Sequence, residues 1–304
     1  WTRGAYANPG SNVDQIGESG VSDWNMQLDY DEEVCFRSEE ALRRLARQED
    51  DRPFFLCASF THPHDPFLIT QEYWDLYDHD SVEMPAAPAK PLDQMHPYDQ
   101  WLQIHHMADV NPPDDEAIRN ARHAFYGMVT YFDKQVGRLL DELDRLGMTD
   151  DTIVVVTSDH GEMLGEHGMW FKRTYFDPST RVPLIFAGPG IRPGERVRET
   201  VSLVDLYPTF LEQAELADHA EVAKTVDGDS LCGLLAGEVG EWKNYAISEY
   251  YSEGVCQPMR MAVRDGHKYV YVHDEAPQLF DLNQDPNELV NLVSDSGYAD
   301  RHAE

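Results

Sequence analysis

Between Tyr30 and Gln48, apolar residues at Val34, Ala41, Leu42 and Leu45 recur among charged neighbours, a spacing that puts them on one face of an amphipathic helix. Acidic residues open this segment and arginines close it, as the helix dipole favours. Residues 51–60, DRPFFLCASF, form an apolar run without helical period and predict a short buried strand. Its continuation, Thr61-His62-Pro63-His64-Asp65-Pro66, cannot prolong a central strand, because two prolines remove ladder donors. It therefore becomes a loop at the carboxyl end of a strand, where open α/β sheets place ligands. Residues 78–116 are rich in Pro, Asp and His without a clear period and predict a long surface excursion. Helix returns with AIRNARHAFYGMVTYFDKQVGRLLDELDRLG, where Met128, Phe132, Val136, Leu139, Leu140, Leu143 and Leu146 form a stripe and Gly147 supplies the stop.

The β-branched run Thr152–Thr157 predicts the best buried strand of the chain, and it ends at Ser158-Asp159-His160-Gly161. A further strand is expected over Val182 to Ala187 and a helix over SLVDLYPTFLEQAEL. Helix then buried strand, repeated, predicts an α/β fold with a mainly parallel sheet. After about Gly240 the texture changes to short strands, YAISEYY, MRMAVRDGHKYVYV and PQLFDL, separated by turn residues. These predict an antiparallel sheet with its own small core, so residues 1–240 are assigned to an α/β domain and 241–304 to a small C-terminal subdomain. No internal repeat is visible.

The 304 residues carry 24 Lys and Arg against 56 Asp and Glu, a formal charge of −32. Such a field repels phosphate backbones and anionic lipid, so neither nucleic acid nor a membrane surface is an expected partner. An anionic small molecule remains compatible, because a local cationic pocket can override the mean field. No apolar stretch is long enough to span a bilayer and no signal-like segment opens the chain, which predicts a soluble protein. Trp1 and the following residues read as loop interior, so the chain is expected to start partway through a longer protein. The four cysteines, Cys35, Cys57, Cys232 and Cys256, are too sparse for a disulfide framework and lack CxxC spacing, which fits a reducing, cytoplasmic setting.

Chemistry concentrates in two places. In SDHGEMLGEHGMWFK, Asp159 and His160 leave a strand end together and Lys172 follows in the same loop. A carboxylate and an imidazole at a strand end are competent divalent-metal ligands, and the lysine suits an anionic substrate. The alternative is that Asp159 caps the next helix and His160 is a satisfied loop histidine. In the hexapeptide, Pro63 and Pro66 restrict the backbone around His62 and His64, as a general acid or hydrogen-bond donor requires; a soft-metal site is the weaker alternative.

The segments FFLCASFTHPHDP, TIVVVTSDHGEMLGEHGMWFK, RVPLIFAGPG and PQLFDLNQDPNELVNL together resemble the sulfatases of the alkaline phosphatase superfamily, and their wording is most similar to the choline sulfatases. The resemblance runs from about Gln27 to Leu292. It implies a large α/β domain with a mixed, mostly parallel sheet flanked by helices, and a smaller C-terminal domain with a short antiparallel sheet.

Carried onto this sequence, the resemblance makes Asp159 a metal ligand, with His160 beside it as a ligand or sulfate contact. Lys172 would contact the sulfate and His64 would sit by the leaving ester oxygen. Most sulfatases have Asn at the place of His160, whereas choline sulfatases and phosphonate monoester hydrolases can have His. Calcium is the family's expected ion; an imidazole ligand makes manganese possible. Family members also use a cysteine in a C-x-P/A-x-R segment, oxidised to formylglycine. None of the four cysteines is assigned that role, so the nucleophile and further metal ligands are expected upstream of Trp1 and the chain alone is expected to be inactive. Glu249, beside Tyr250 and Tyr251, is the candidate carboxylate for a trimethylammonium head group, with Trp24, Tyr6 and Asn8 as other possible lining residues.

The function these features imply is that of a metal-dependent sulfuric ester hydrolase acting on a small sulfate ester, foremost choline O-sulfate, as a homo-oligomer. The rivals are a phosphonate monoester hydrolase or phosphodiesterase of the same superfamily, and a non-catalytic anion- or metal-binding or interface protein.

Overall fold

The computed structural model describes residues 12–49, 52–216, 226–238 and 240–298. In chain order the elements are β1 (Gly20–Val21), α1 (Met26–Leu45), β2 (Leu68–Ile69), α2 (Gln71–Trp74), α3 (Pro97–His105) and α4 (Asp115–Arg145). There follow β3 (Val154–Thr157), α5 (Asp177–Thr180), β4 (Leu184–Ala187), α6 (Leu206–Gln213) and α7 (Cys232–Ala236). The chain closes with β5 (Tyr245–Tyr250), β6 (Met259–Arg264), β7 (His267–Val272) and β8 (Gln278–Asp281). They sort into two compact units. One comprises Trp1–Gln94, Gln103–Thr152 and Glu162–Phe171, and the other Met95–Leu102, Ile153–Gly161 and Lys172–Glu304. The boundary expected at residue 240 falls inside the second unit.

In the first unit, α1 starts where the Asn25 side chain accepts the Leu28 N–H, and it buries Leu28, Asp31, Cys35, Ser38 and Leu42 at alternating spacings of three and four. α4 starts at Asp114, whose carboxylate accepts the Ala117 N–H. Its buried face runs through Ala121, Ala124, Met128, Tyr131 and Gln135, not along the full leucine stripe expected from the sequence, and Leu140 is exposed. The reason is polar: Arg138 of α4 binds Glu32 (2.8 Å) and Glu39 (3.0 Å) of α1, and Glu142 binds Arg43 (2.7 Å), so the seam between these helices is an ion-pair ladder. The apolar core joins Leu28, Phe67, Ile69, Met128, Tyr131 and Trp170. β1 and β2 pair in parallel.

Two expectations fail here. The run at residues 52–60 enters no β-ladder among the described residues, and Phe55 is 75% exposed. An apolar run becomes a strand only with a neighbour to bond and a layer to cover it. Conversely, the supposed excursion 78–116 contains α3, whose Tyr98 and Leu102 are buried. Pro97 at its first position is compatible with a helix start.

In the second unit, β3 and β4 are antiparallel, with Val154 opposite Ala187 and Thr157 opposite Leu184. The parallel ladder among the described residues is thus the short β1–β2 pair. The C-terminal sheet is a meander in the order β5-β6-β7-β8, antiparallel throughout, as the sequence predicts. Asp265 and Gly266 join β6 to β7 with φ of 50° and 73°, the left-handed pair that a two-residue hairpin turn requires. Beneath this sheet Lys268, fully buried, reaches Asp177 (2.6 Å), Glu288 (2.7 Å) and the Tyr175 carbonyl (2.7 Å). Among the described residues no helix is long and apolar enough to cross a membrane.

Candidate active site

β3 delivers Ser158–Gly161 to a fixed place. The Gly161 N–H donates to the Ser179 carbonyl at 2.8 Å, and a Cβ at 161 would lie 2.0 Å from the Pro178 carbonyl oxygen, so no side chain fits there. The Ser158 hydroxyl donates to the His160 carbonyl at 2.8 Å. Asp159 Oδ1 accepts the His160 N–H at 3.0 Å, and the two side chains face each other with Oδ2 3.7 Å from Nε2. The carboxylate is 86% exposed and the imidazole partly so. Asp159 does not cap α5, whose N-cap is Phe176.

The loop that follows is held in costly conformations. Leu164, His167, Phe171 and Arg173 all have positive φ, although none is glycine, and such residues cost on the order of 1–3 kcal/mol each. Lys172 is half-buried between two of them. Phe171 is anchored in the apolar core of the first unit, while Arg173 binds Glu253 at 2.6 Å within the second. Backbone strain on both sides of one lysine fixes the direction in which its side chain leaves.

His64 lies in the first unit, within the hexapeptide. The pair treated alike in sequence separates into two roles. His62 is buried, its Nδ1 2.6 Å from Asp31 Oδ2 and its Nε2 without a hydrogen-bond partner among the described residues. The His64 side chain is 40% exposed, and its Nδ1 bonds the Asp65 carbonyl at 2.8 Å. A carbonyl only accepts, so Nδ1 carries a proton, and the same nitrogen lies 3.0 Å from Asp65 Oδ1. Gln27 and Asp31 are the α1 residues that hold this loop, and polar residues on a helix give no signal of that role in the sequence.

Glu249 is on the exposed face of β5, in register with Arg260 of β6, and the two form an ion pair at 2.7 Å. An open cavity of about 410 Å³ adjoins it, lined by Tyr251, Pro258, Arg260, Tyr271 and His273. Trp24 is 57% exposed. Tyr6 and Asn8 lie outside the described residues.

The sulfatase family model matches residues 5–216, and that of the C-terminal part of N-sulphoglucosamine sulphohydrolase matches residues 165–304. The chain belongs to the sulfatase family. It is 39% identical to a choline-sulfatase of Rhizobium meliloti over 95% of this chain and 57% of that protein. It is 33% identical to arylsulfatase K of Xenopus laevis over 82% of this chain and 49% of that one. The phosphonate monoester hydrolase of Agrobacterium radiobacter superposes with a TM-score of 0.75 at 28% identity, covering 89% of this chain and 58% of its own. This sulfatase chain therefore spans about half the length of the relatives it matches, and its α/β fold with a C-terminal antiparallel sheet is theirs.

Sulfatases work with a metal ion and a formylglycine. Among the described residues no group of three or more His, Cys, Asp or Glu side chains converges to hold a metal. Asp159 and His160 are two donors, whereas calcium takes about six to eight oxygen ligands. The described residues do not by themselves form a metal site. Contrary to the expectation for the four cysteines, Cys256-Gln257-Pro258-Met259-Arg260 does have the C-x-P-x-R spacing. It forms the end of the β5–β6 connection and the start of β6, with Cys256 exposed and its thiol pushed up by desolvation. Arg260 is committed there to Glu249 and, at 3.3 Å, to the Tyr251 hydroxyl.

Proposed function

We propose that the sulfatase carrying this chain is a sulfuric ester hydrolase that converts choline O-sulfate and water to choline and sulfate, with its nucleophile outside the chain described. The observation that carries the reading is the Asp159–His160 pair presented on the end of β3 by a loop with no freedom at Gly161. The 39% identity to a choline-sulfatase supports the choice of ester.

In this reading Lys172 neutralises charge on the sulfate oxygens during transfer, an electrostatic contribution that a fixed ammonium makes without reorganisation. With its ring protonated on both nitrogens, His64 donates the Nε2 proton to the departing oxygen, which matters because an alkoxide such as that of choline leaves poorly. Asp159 and His160 are the candidate metal donors that this chain contributes. Glu249 is the candidate for the quaternary ammonium, and it would share its charge between that group and Arg260. A phosphonate monoester hydrolase is the second reading, favoured by the TM-score of 0.75 to such an enzyme.

The intact enzyme assayed on choline O-sulfate and on a phenyl phosphonate monoester separates the two. Higher kcat/KM on the sulfate is expected, and the reverse order would replace the first reading by the second. A peptide map is expected to show Cys256 as an unmodified thiol; an aldehyde at that position would move the nucleophile into this chain.

A further inference from the structure

Gln27 and Asp31 stand four residues apart on α1, so their side chains leave the helix on the same side, toward the hexapeptide. Gln27 Nε2 donates to the carbonyls of His64 (3.0 Å) and Asp65 (2.8 Å). Asp31 Oδ1 accepts the Thr61 N–H at 2.6 Å, and Oδ2 accepts the His62 N–H at 3.0 Å and faces His62 Nδ1 at 2.6 Å. Every non-proline residue of Thr61–Pro66 is thus bonded to one of these two side chains. Asp31 is fully buried and Gln27 half-buried, so water does not compete freely for the same groups. The loop has no helix or ladder of its own, only the turn bond from the His64 N–H to the Thr61 carbonyl at 3.0 Å, and α1 supplies the remaining order from outside.

One oxygen links this clamp to the imidazole. The Asp65 carbonyl accepts from Gln27 Nε2 and from His64 Nδ1, each at 2.8 Å. A change in the first bond is passed to the second and turns the imidazole, whose Nδ1 also lies 3.0 Å from Asp65 Oδ1. We propose that Gln27 and Asp31 are positioning residues that aim His64 at the departing oxygen, an inference that rests on His64 being the proton donor. General acid assistance is worth about 10²–10⁴-fold, and a misplacement of about 1 Å can forfeit about 10²-fold of such a contribution.

Gln27→Glu tests this with almost no change of shape, because a carboxylate offers no donor to the two carbonyls. The measurement is the ratio of kcat on an alkyl sulfate, whose leaving group needs a proton, to kcat on 4-nitrophenyl sulfate, whose leaving group does not. In the intact enzyme the ratio is expected to fall by roughly 10²-fold, in the direction of His64→Ala and with KM little altered. Gln27→Met serves the same purpose if the charged variant does not fold, and Asp31→Asn should shift the ratio the same way. Unchanged ratios in the Gln27 and Asp31 variants, beside a collapsed ratio in His64→Ala, would overturn the positioning role alone. An unchanged ratio in His64→Ala would remove the proton donor itself and the inference with it.

Discussion

Lys172 shows how a single residue is prepared by its neighbours. A lysine on a flexible stem ordinarily loses much of its electrostatic value to motion, yet here Phe171 and Arg173, with φ of 66° and 80°, constrain the backbone on either side. Phe171 is buried to 1% exposure and Arg173 is tied to Glu253, so neither can relax without giving up a contact. In the proposed hydrolase, Lys172→Ala should lower kcat by about 10²–10³-fold, the usual value of one preorganised charge contact, while thermal unfolding changes little. Steady-state kinetics on the intact enzyme checks this, and a wild-type rate would take Lys172 out of the site.

At the scale of elements, the α1–α4 seam is held by charge, and this gives it a pH dependence. Hydrogen bonds from Arg145 and Arg43 lower the Glu142 carboxyl from 4.5 to about 2. The folded chain therefore binds that proton less readily than the unfolded one, so the stabilisation is complete above pH 4.5 and is lost as pH falls toward 2. Glu142→Gln should be less stable than wild type at pH 7, with the gap closing through this acid window; denaturant midpoints that differ equally at both ends would contradict the assignment. The seam also explains what could be read in advance. α1, α4 and the β5–β8 meander were legible because apolar period, the charged ends of α1, the Gly147 stop after α4 and the turn residues between short strands all point the same way. Residues 52–60 were misread because apolar composition cannot supply a ladder, and α3 was missed because Pro, Asp and His around it mask a short helix. The end of β3 was legible as a candidate site, whereas the clamp at Gln27 and Asp31 was not: its partners are backbone groups thirty or more residues away in the chain.

For the whole molecule, the dominant fact is the charge of −32, and two effects of salt on it compete. Added NaCl weakens the exposed ion pairs, such as Arg37 with Glu33 and Glu40, but exposed pairs are worth about 0–1 kcal/mol each at most. It also screens the mutual repulsion of the excess carboxylates, a long-range term that acts between all of them and opposes the compact state. At about 0.1 M the screening length is about 10 Å, shorter than the distances across a domain of this size, so most of that repulsion disappears while pairs in direct contact survive. Repulsion should therefore win, and the Tm of this chain should rise steadily between about 0.01 and 0.5 M NaCl, over which the screening length falls severalfold. Chloride is the right anion for the measurement, because sulfate would also strengthen apolar burial and is the product of the proposed reaction. A Tm that stays level or falls over this range would mean that the ion-pair ladder between α1 and α4, and not the net charge, governs how the fold responds to salt.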